Sequence, residues 1–534
     1  MGAPLDSPRL VASPLVAVPS AARSAGRRWA VALGVVAVVA LAAGLAVVDG
    51  LPVGVVADDS MYVILARSLA TGQGYRALNI PGLPAGTHFP PGYPALLALV
   101  SFVAPAFPDS VVVFKALNAA FLAIAAVGIA TLLRRRLDVG AGWAAAAGLV
   151  SSVSVPLLIL SSMVLSELFF LALVLTLLPA LEQLLDEARP RGRVVALGLC
   201  IGGCALVRSH GVVLLPAALL ALAVRRRWRD CALLAGAAAA VLAPWQIWVA
   251  RHGGVLPVPL LGMYDSYTAW WLRGLGELGP SMIGATLATT IPETTVMLAQ
   301  LFSPVRGALA HAVTLVALAL LTAVGCVASW RRMPVTLLFL AGYLAIVLVW
   351  PFATARFVWA VWPLLLAPII VGARAAVRRT EWAMPVRAAL ALAFVWIAAG
   401  YAAYEVRGVR GAWWSSIARA STQRIAPTVR WVASHTAPGE LVASESEGAV
   451  YLYANRQALP IVSLTPRQYL HEYTPRENAT EGLQAILGAY PVRTVVVGSR
   501  KAFDAAQYLV TSPRPILTPR ETFPGGAAFT VLPR

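Results

Sequence analysis

Apolar runs about as long as a membrane is thick dominate this sequence. They recur over the first 404 residues, and about 20 apolar residues suffice for a helix to cross a hydrocarbon core. Hydrophobic residues fill 59% of the 534 positions and charged residues only 12%, whereas roughly 25% of a soluble protein is charged. An ordinary soluble fold is therefore excluded, and the sequence predicts a polytopic α-helical membrane protein.

About eleven transmembrane helices are predicted from these runs. The first follows Arg23, Arg27 and Arg28 and has no clear small-residue cleavage site after it, which indicates an uncleaved anchor with a cytoplasmic N-terminus. Residues 1–28 are expected to form a disordered cytoplasmic tail. The predicted spans are 29–48, 110–133, 141–160, 164–181, 194–207, 211–224, 231–250, 312–330, 334–350, 357–371 and 388–404.

Loop arginines orient these spans. If the spans simply alternate, 20 basic residues fall on the side of the N-terminus and 7 on the other side before residue 405. Cytoplasmic loops carry the excess of Lys and Arg, so we expect a multi-pass protein of the plasma membrane with its N-terminus inside. The basic segments on the N-terminal side are those containing Arg134–Arg136, Arg189–Arg193, Arg225–Arg229, Arg331–Arg332 and Arg374–Arg387.

Two stretches of the chain admit more than one topology. Residues 93–107 are apolar but short and proline-flanked, which favours a helix lying at the outer interface over a crossing. Spans 194–207 and 211–224 are also short. A single long helix interrupted at Arg208 is the alternative, and it would reverse every later crossing.

The C-terminal residues 405–534 differ in kind from the preceding domain, 29–404. A helical pattern over 414–434 is followed by strand-like pieces at 440–444, 458–464, 492–498 and 528–532, with helical stretches between them. This alternation predicts a small α/β domain, which eleven crossings would place outside the cell.

Charge and cysteine content exclude other classes of protein. The net charge of +18 is explained by loop arginines, so we expect no nucleic-acid partner. Four cysteines, Cys200, Cys204, Cys231 and Cys326, lie in apolar segments without disulfide or metal-ligand spacing and are interpreted as small buried hydrophobic residues.

Ionisable residues gather at the outer ends of the predicted helices, where they are candidates for function. The first outer loop, 49–109, contains Asp58, Asp59 and His88. Adjacent carboxylates can supply a general base, can hold a divalent cation on a phosphate, or can simply favour the start of a helix. Further candidates at the same ends are Tyr93, Glu167, Arg208, His210 and Arg356.

The first outer loop resembles that of GT-C glycosyltransferases, in particular bacterial enzymes similar to protein O-mannosyltransferases and to the aminoarabinose transferase of lipid A. The resemblance covers about residues 29–404, with Asp-Asp here where the mannosyltransferase pattern has Asp-Glu. The matching segments are Val56-Ala57-Asp58-Asp59-Ser60-Met61-Tyr62, Gly72-Gln73-Gly74-Tyr75, His88-Phe89-Pro90-Pro91-Gly92-Tyr93-Pro94, Ser166-Glu167, Leu206-Val207-Arg208, Ala243-Pro244-Trp245 and Arg356-Phe357.

The resemblance implies transfer of a hexose or pentose from a polyprenyl phosphate to a glycan, lipid or protein acceptor on the outer face. Asp58 is then the catalytic base of an inverting single displacement, and Asp59 orients it or shares a cation. No cofactor is certain, but Asp58, Asp59 and Glu167 are the residues that can ligate a divalent cation. We expect Arg208 and Arg356 to bind the donor phosphate.

The remaining candidates are assigned to substrate binding. Glu167, His210, His88 and Tyr93 are expected to contact the donor or the acceptor. The long outer segment 251–311 is expected to cover the donor groove. Stacking on sugar rings is a further interpretation for aromatic residues that equally suit an interfacial belt, namely Tyr62, Tyr75, Tyr93, Trp270 and Trp271.

Two other classes of function remain open on the sequence alone. A flippase for lipid-linked sugars or another transporter is the main alternative, although transporters place polar residues near the bilayer midplane and this chain places them at helix ends. A receptor or scaffold carrying an exported domain is the third, but it has no need of two carboxylates and two arginines on one face.

Overall fold

In the computed structural model of the protein, residues 20–54, 56–187, 189–379, 381–466 and 475–533 are described. Helices dominate up to residue 410, with a short 3₁₀ helix at Ser209–Val213. They are α1 (Ser20–Ala46), α2 (Ala57–Ala70), α3 (Gly92–Ser101), α4 (Ser110–Leu137), α5 (Ala141–Ser152), α6 (Val155–Ser161), α7 (Glu167–Asp186), α8 (Arg191–Val207), α9 (Leu214–Val224), α10 (Trp228–His252), α11 (Val258–Tyr264), α12 (Tyr267–Leu278), α13 (Ser281–Phe302), α14 (Ala308–Ser329), α15 (Pro334–Leu348), α16 (Ala355–Trp359), α17 (Trp362–Arg378) and α18 (Met384–Arg410).

Each of the eleven predicted spans coincides with a helix or a helix pair. Among the described residues, six helices are long and apolar enough to cross a membrane, and a seventh span results if α5 and α6, which are bent by 59°, count as one. The six are α1, α4, α7, α10, α14 and α18. The remaining predicted spans are shorter helices, so a helical membrane fold is observed while the number of eleven stays a prediction.

The start of the chain differs from the predicted tail. Residues 20–28, expected to be disordered, form the first two turns of α1, and residues 1–19 lie outside the described part of the chain. Alanine and the absence of proline after Pro19 favour continuation of the helix backwards from the apolar run.

The arginine-rich turns meet on one side of the helix bundle, which we call the arginine face. Arg136 at the end of α4 donates to the carbonyl of Arg332 (3.0 Å) in the turn between α14 and α15. Arg374 of α17 donates to the carbonyls of Leu137 and Asp138, both at 2.7 Å. Spans that alternate in direction would place these arginine-rich turns on the same side of the bundle, and the turns are in contact there.

Contacts at this face also decide the direction of α8 and α9. Arg225, at the end of α9, donates to the carbonyl of Leu185 (3.4 Å), and Arg227 donates to the carbonyl of Leu184. Both carbonyls belong to the end of α7, a few residues before α8 begins. The end of α9 thus lies beside the start of α8, so the two helices run in opposite directions and are not one interrupted helix.

Helix α3 is the apolar stretch that complicated the topology. Its 10 residues span about 15 Å, half the thickness of a hydrocarbon core. A Cβ on Gly92 would lie 2.7 Å from the Leu206 carbonyl oxygen, which places the start of α3 against the end of α8. Helix α3 is therefore too short to cross a hydrocarbon core by itself, and its position at the outer interface stays a prediction.

The segment 251–311 is largely helical rather than a plain loop. Helices α11 and α12 are followed by α13, a 22-residue helix that the sequence analysis did not predict. Its five threonines, proline and glutamate lower its hydropathy below that of the recognised spans. It nevertheless packs closely in the bundle, since a Cβ on Gly400 of α18 would lie 1.8 Å from the Phe302 carbonyl oxygen.

All four cysteines are free thiols, but only Cys204 is buried. Cys231 and Cys326 are partly exposed, and Cys200 is exposed on α8, so the expectation of a buried residue fails there. An exposed surface on a membrane helix faces lipid rather than water, which a hydropathy pattern cannot distinguish from the core.

A five-stranded sheet forms the centre of the C-terminal part. The strand order is β2-β1-β3-β5-β4, with β1 parallel to β2 and β3, and β5 antiparallel to β3 and β4. Strand β4 was not predicted, because its residues are largely exposed and lack an apolar face. The elements are α19 (Trp413–His435), β1 (Val442–Ser444), α20 (Glu447–Ala449), a π turn (Val450–Ala454), β2 (Ala458–Leu459), α21 (Pro475–Ala489), β3 (Thr494–Val497), α22 (Arg500–Thr511), β4 (Leu517–Phe523) and β5 (Gly526–Val531).

This α/β part docks on the loop that contains Asp58. The Tyr453 hydroxyl accepts a hydrogen bond from the amide of Val53 (3.0 Å), and the amide of Ala458 donates to the Asn79 carbonyl (2.9 Å). A Cβ on Gly448 would lie 2.2 Å from the Ser60 hydroxyl oxygen, so only glycine permits this approach to α2. The C-terminal part thus fixes α2 from the side away from the membrane bundle.

Candidate active site

A cavity of about 1000 Å³ lies at the end of the bundle opposite the arginine face. One wall of the cavity is formed by Asp58 and Tyr62 of α2 and by the loop that contains His88. Arg208 projects from the connection that follows α8, and Arg356 projects from the short helix α16. Helices α10 and α12 close the remaining side with mainly apolar residues.

Asp58 sits in the first turn of α2, where a carboxylate also suits the helix dipole. It forms an ion pair with Arg356, whose guanidinium also pairs with Glu167. Three residues separated by up to 298 positions in sequence are thereby joined in one contact network. The predicted first-loop carboxylate and the predicted outer arginine do meet.

Glu167 is the fully buried centre of this network. It begins α7, and its side chain has 0% exposure. Besides Arg356, it binds Arg208, whose Nη1 lies 3.0 Å from Oε2 and 3.1 Å from the Ser166 hydroxyl oxygen. A buried carboxylate is costly unless it is paired, so Glu167 holds both arginines in fixed positions.

Phe357 gives the two guanidinium groups a common apolar surface. The Cζ atoms of Arg208 and Arg356 lie 5.5 Å and 5.9 Å from the centre of its ring. An arginine that packs on an aromatic face donates its hydrogen bonds outward in the plane of the guanidinium group. Both arginines line the cavity, so an anion entering it meets two oriented donors.

The ion pairs set the charge state of Asp58. Burial by itself raises the pKa of this carboxyl, but Arg356, together with smaller contributions from His88 and Arg208, lowers the pKa below its usual value. Asp58 is therefore ionised near neutral pH and available as a proton acceptor.

The donor set does not fit a divalent cation. Two carboxylates, Asp58 and Glu167, are balanced by two guanidinium groups that occupy them directly. A metal ion would have to displace an arginine while leaving its charge beside the new cation. Within the described parts of the chain, no three side chains of His, Cys, Asp or Glu are gathered at a metal-binding distance.

Asp59 has a different environment from Asp58. Its side chain is 2% exposed and does not line the cavity. Its Oδ1 accepts hydrogen bonds from the backbone amides of Gly54 (2.9 Å) and Ser60 (2.7 Å). The predicted catalytic pair is thus divided, with Asp59 holding the loop that positions α2.

The two predicted histidines both line the cavity. His88 Nδ1 lies 2.6 Å from the Asp265 carbonyl oxygen, and its ring lies 3.8 Å from that of Tyr267. Burial lowers the pKa of His88, so its neutral form donates from Nδ1 and presents Nε2 as an acceptor. The His210 ring packs 5.5 Å from that of Phe357.

The predicted aromatic residues divide between cavity and core. Tyr62 and Trp271 line the cavity. Tyr93 is fully buried and packs edge-on against Tyr62 at 5.1 Å, so it supports the wall without reaching the cavity. Tyr75 donates to the Phe89 carbonyl (2.8 Å), and Trp270 donates to the Leu464 carbonyl of the C-terminal part (2.7 Å).

Several lining residues were missed or left without a role by the sequence analysis. Tyr267 and Trp350 form an aromatic pair, 5.2 Å apart, beside His88. Asp265 accepts from Thr87 (3.2 Å) and from the amide of Gly254 (3.0 Å), and so ties the rim of the cavity together. No local motif marks these positions, because they meet only when α12 folds over the first loop.

Comparison with known proteins finds similarity at the level of structure only. The chain matches no known family profile and no curated protein sequence. It is similar to the crystal structure of the oligosaccharyltransferase of Archaeoglobus fulgidus in complex with Zn and sulfate, with a TM-score of 0.51 and 16% identity over 87% of this chain and 68% of that one. This likeness confirms the fold that the resemblance to GT-C glycosyltransferases predicted.

Two further structures are similar over most of the chain. ArnT from Cupriavidus metallidurans, bound to undecaprenyl phosphate, has a TM-score of 0.45 and 13% identity, over 93% of this chain and 97% of that one. The archaeal oligosaccharyltransferase AglB, in complex with an inhibitory peptide and a dolichol-phosphate, has a TM-score of 0.49 and 12% identity over 89% and 70%.

Proposed function

We propose that the protein is a glycosyltransferase that moves a sugar from a polyprenyl phosphate to a hydroxyl group of a cell-envelope glycan, lipid or protein. One observation carries this proposal: an ionised carboxylate, Asp58, shares a large cavity with two arginines that Glu167 holds in place. Transfer of a sugar from a phosphate requires a proton acceptor for the attacking hydroxyl and oriented hydrogen-bond donors that bind the leaving phosphate.

Asp58 serves as the general base. It takes the proton of the acceptor hydroxyl as the hydroxyl oxygen attacks the anomeric carbon of the donor sugar. The bond from that carbon to the phosphate oxygen breaks on the opposite side, and the electron pair leaves with the lipid phosphate. A single displacement of this kind inverts the anomeric configuration.

Arg208 and Arg356 stabilise the leaving phosphate. The negative charge on the phosphate grows as the glycosidic bond breaks, and prepositioned guanidinium groups in a site shielded from water favour that charge most strongly. Arg356 contacts Asp58 as well, so the base and the leaving-group site are held in register by one side chain. Two arginines thereby take the part that a cation would otherwise play.

The apolar side of the cavity suits the lipid part of the donor. Leu242, Trp245 and Val249 of α10 line it together with Leu272 of α12 and Ile346 of α15. Helix α10 is a candidate membrane span of which only 17% is buried within the protein, so this wall borders the bilayer. A prenyl chain can lie along it while its phosphate reaches the arginines.

The arginine face is assigned to the cytoplasm and the cavity to the outer leaflet. This follows from the excess of loop arginines, and it places the α/β part outside the cell. A cysteine at the exposed position Lys501, labelled in intact cells with a membrane-impermeant maleimide, tests the orientation. Labelling only after permeabilisation contradicts it.

The decisive experiment compares two neighbouring carboxylates in purified protein supplied with polyprenyl-phosphate sugars. Asp58→Asn removes the base and should lower the turnover number roughly 10²–10⁴-fold at normal protein yield. Asp59→Asn retains an acceptor oxygen for the amides of Gly54 and Ser60 and should keep most activity. Normal sugar transfer by Asp58→Asn refutes the role of Asp58 as the general base. Flipping of the lipid-linked sugar without transfer by the wild type refutes the proposed glycosyltransferase function.

A further inference from the structure

A second cavity, of about 430 Å³, opens at the other end of the bundle. We call it the α4–α7 groove, because residues of these helices form most of its walls, while α1 and α8 add one residue each. Its apolar lining includes Ile124, Leu175 and Pro179. Its polar residues include Arg135 and Arg193.

Small residues and a proline shape this groove. A Cβ on Gly128 of α4 would lie 2.8 Å from Cβ of Leu175, so glycine brings the two helices into close contact there. Pro179 lies inside α7 and has no N–H to donate to the Leu175 carbonyl four residues earlier. Three of the walls, α1, α4 and α7, are candidate membrane spans, so the medium around the groove is lipid.

The arginines beside the groove differ in their partners. Arg134 stacks on Trp29, with Cζ 4.5 Å from the ring centre, and Arg136 is paired with Asp186. Arg135 and Arg193 are exposed, and neither has a carboxylate within 4.0 Å among the described residues. Two cations without an ion-pair partner therefore stand at the polar end of an apolar groove.

We propose that the α4–α7 groove binds an anionic phospholipid, with an acyl chain along Ile124 and Leu175 and the phosphate on Arg135 and Arg193. Basic pockets between membrane helices on the cytoplasmic side recognise such headgroups, and arginine binds phosphate through two parallel N–H donors. The groove is separate from the donor site, because Gln183 at its polar end is 16 residues along α7 from Glu167, or about 24 Å.

Native mass spectrometry of the full-length protein in mild detergent, titrated with phosphatidylglycerol or phosphatidylcholine, tests this site. The wild type should bind phosphatidylglycerol more tightly than phosphatidylcholine. The double variant Arg135→Gln/Arg193→Gln should weaken phosphatidylglycerol binding roughly fivefold per arginine, or about 25-fold in total. The matched control Arg226→Gln/Arg229→Gln removes two exposed arginines of the same face, away from the groove, and should bind as the wild type does.

A second variant tests the apolar half of the site. Thr131→Trp fills the groove but leaves both arginines in place and should also weaken binding of the lipid. Equal loss in the control pair, equal affinity for phosphatidylcholine, or unchanged binding by Thr131→Trp each overturns the proposal. None of these outcomes bears on sugar transfer, so this site and the proposed enzyme stand or fall separately.

Discussion

Arginines gather at both ends of this helix bundle, yet they differ in whether they share a fully buried carboxylate. On the arginine face, Arg136, Arg225 and Arg374 donate to backbone carbonyls of neighbouring turns. In the cavity, Arg208 and Arg356 share the fully buried carboxylate of Glu167, and Arg356 also pairs with Asp58. The number of arginines thus reports topology, whereas two arginines that share one fully buried carboxylate identify the chemical site.

Among the arginines, the largest expected effect of a substitution is at Arg356. Arg356→Gln leaves Asp58 and the fully buried Glu167 with one guanidinium between them. Breaking a fully buried pair costs about 3–5 kcal/mol, and the partial exposure of Arg356 and Asp58 places the loss below that range. Loss of one donor to the developing negative charge should also lower the turnover number roughly 10²–10³-fold. Thermal unfolding measures the loss of stability, and sugar-transfer kinetics measure the loss of turnover. Wild-type kinetics in this variant would show that the arginines of the cavity are no more important for activity than those of the arginine face.

A smaller effect is expected at Glu447, in the C-terminal part that docks on the cavity end of the bundle. Its Oε1 accepts from the Tyr264 hydroxyl (3.1 Å), and burial raises the pKa of Glu447 from 4.5 to about 7. As pH rises from 4.5 to about 7, the unfolded state loses its proton before the folded state does. The free energy of unfolding therefore falls by about 3 kcal/mol over this interval and is at its full value below pH 4.5.

Glu447→Gln stays neutral and should abolish that loss. The thermal midpoint of the wild type should fall between pH 5 and pH 8 by more than that of the variant. Glu481→Gln, at an exposed position of α21, serves as the control and should follow the wild type. Identical pH profiles for wild type and Glu447→Gln would show that this carboxyl does not couple docking to protonation.

The smallest effect is expected on the arginine face. Arg332 pairs with Asp138 at 2.5 Å, but both side chains are more than half exposed, and surface pairs contribute about 0–1 kcal/mol. Arg332→Gln should leave kcat and KM within about twofold of the wild type. A loss of turnover comparable to that of Arg356→Gln would mean that the two faces are chemically coupled and would remove the contrast between them.

Much of this comparison could be predicted from local patterns. The spans follow from uncharged runs, and the arginine face follows from the positions of loop arginines. Asp58, Arg208 and Arg356 were predicted to lie at outer helix ends, and they line one cavity. The division between Asp58 and Asp59 was not predicted, because adjacent identical side chains differ here only in which atoms fold against them.

Other misses share one physical cause. Tyr93 was expected to bind substrate, but its ring is needed behind Tyr62. Helix α13 escaped detection because its threonines satisfy hydrogen bonds inside the bundle, as in the contact of Thr290 with the Leu348 carbonyl (2.6 Å). Such partners lie tens of residues away, so the polarity of a segment alone misjudges its place in the fold.

The sequence alone determined that this chain crosses a membrane, which side carries the loop arginines, and which ionisable residues lie at the opposite ends. These properties depend on the cost of placing charge in hydrocarbon, which acts residue by residue. Only the tertiary structure decided that Glu167 fixes both arginines, that Arg356 engages Asp58, and that the C-terminal part holds α2 in place. Those contacts join residues far apart in sequence, and their strength comes from burial, which no local pattern encodes.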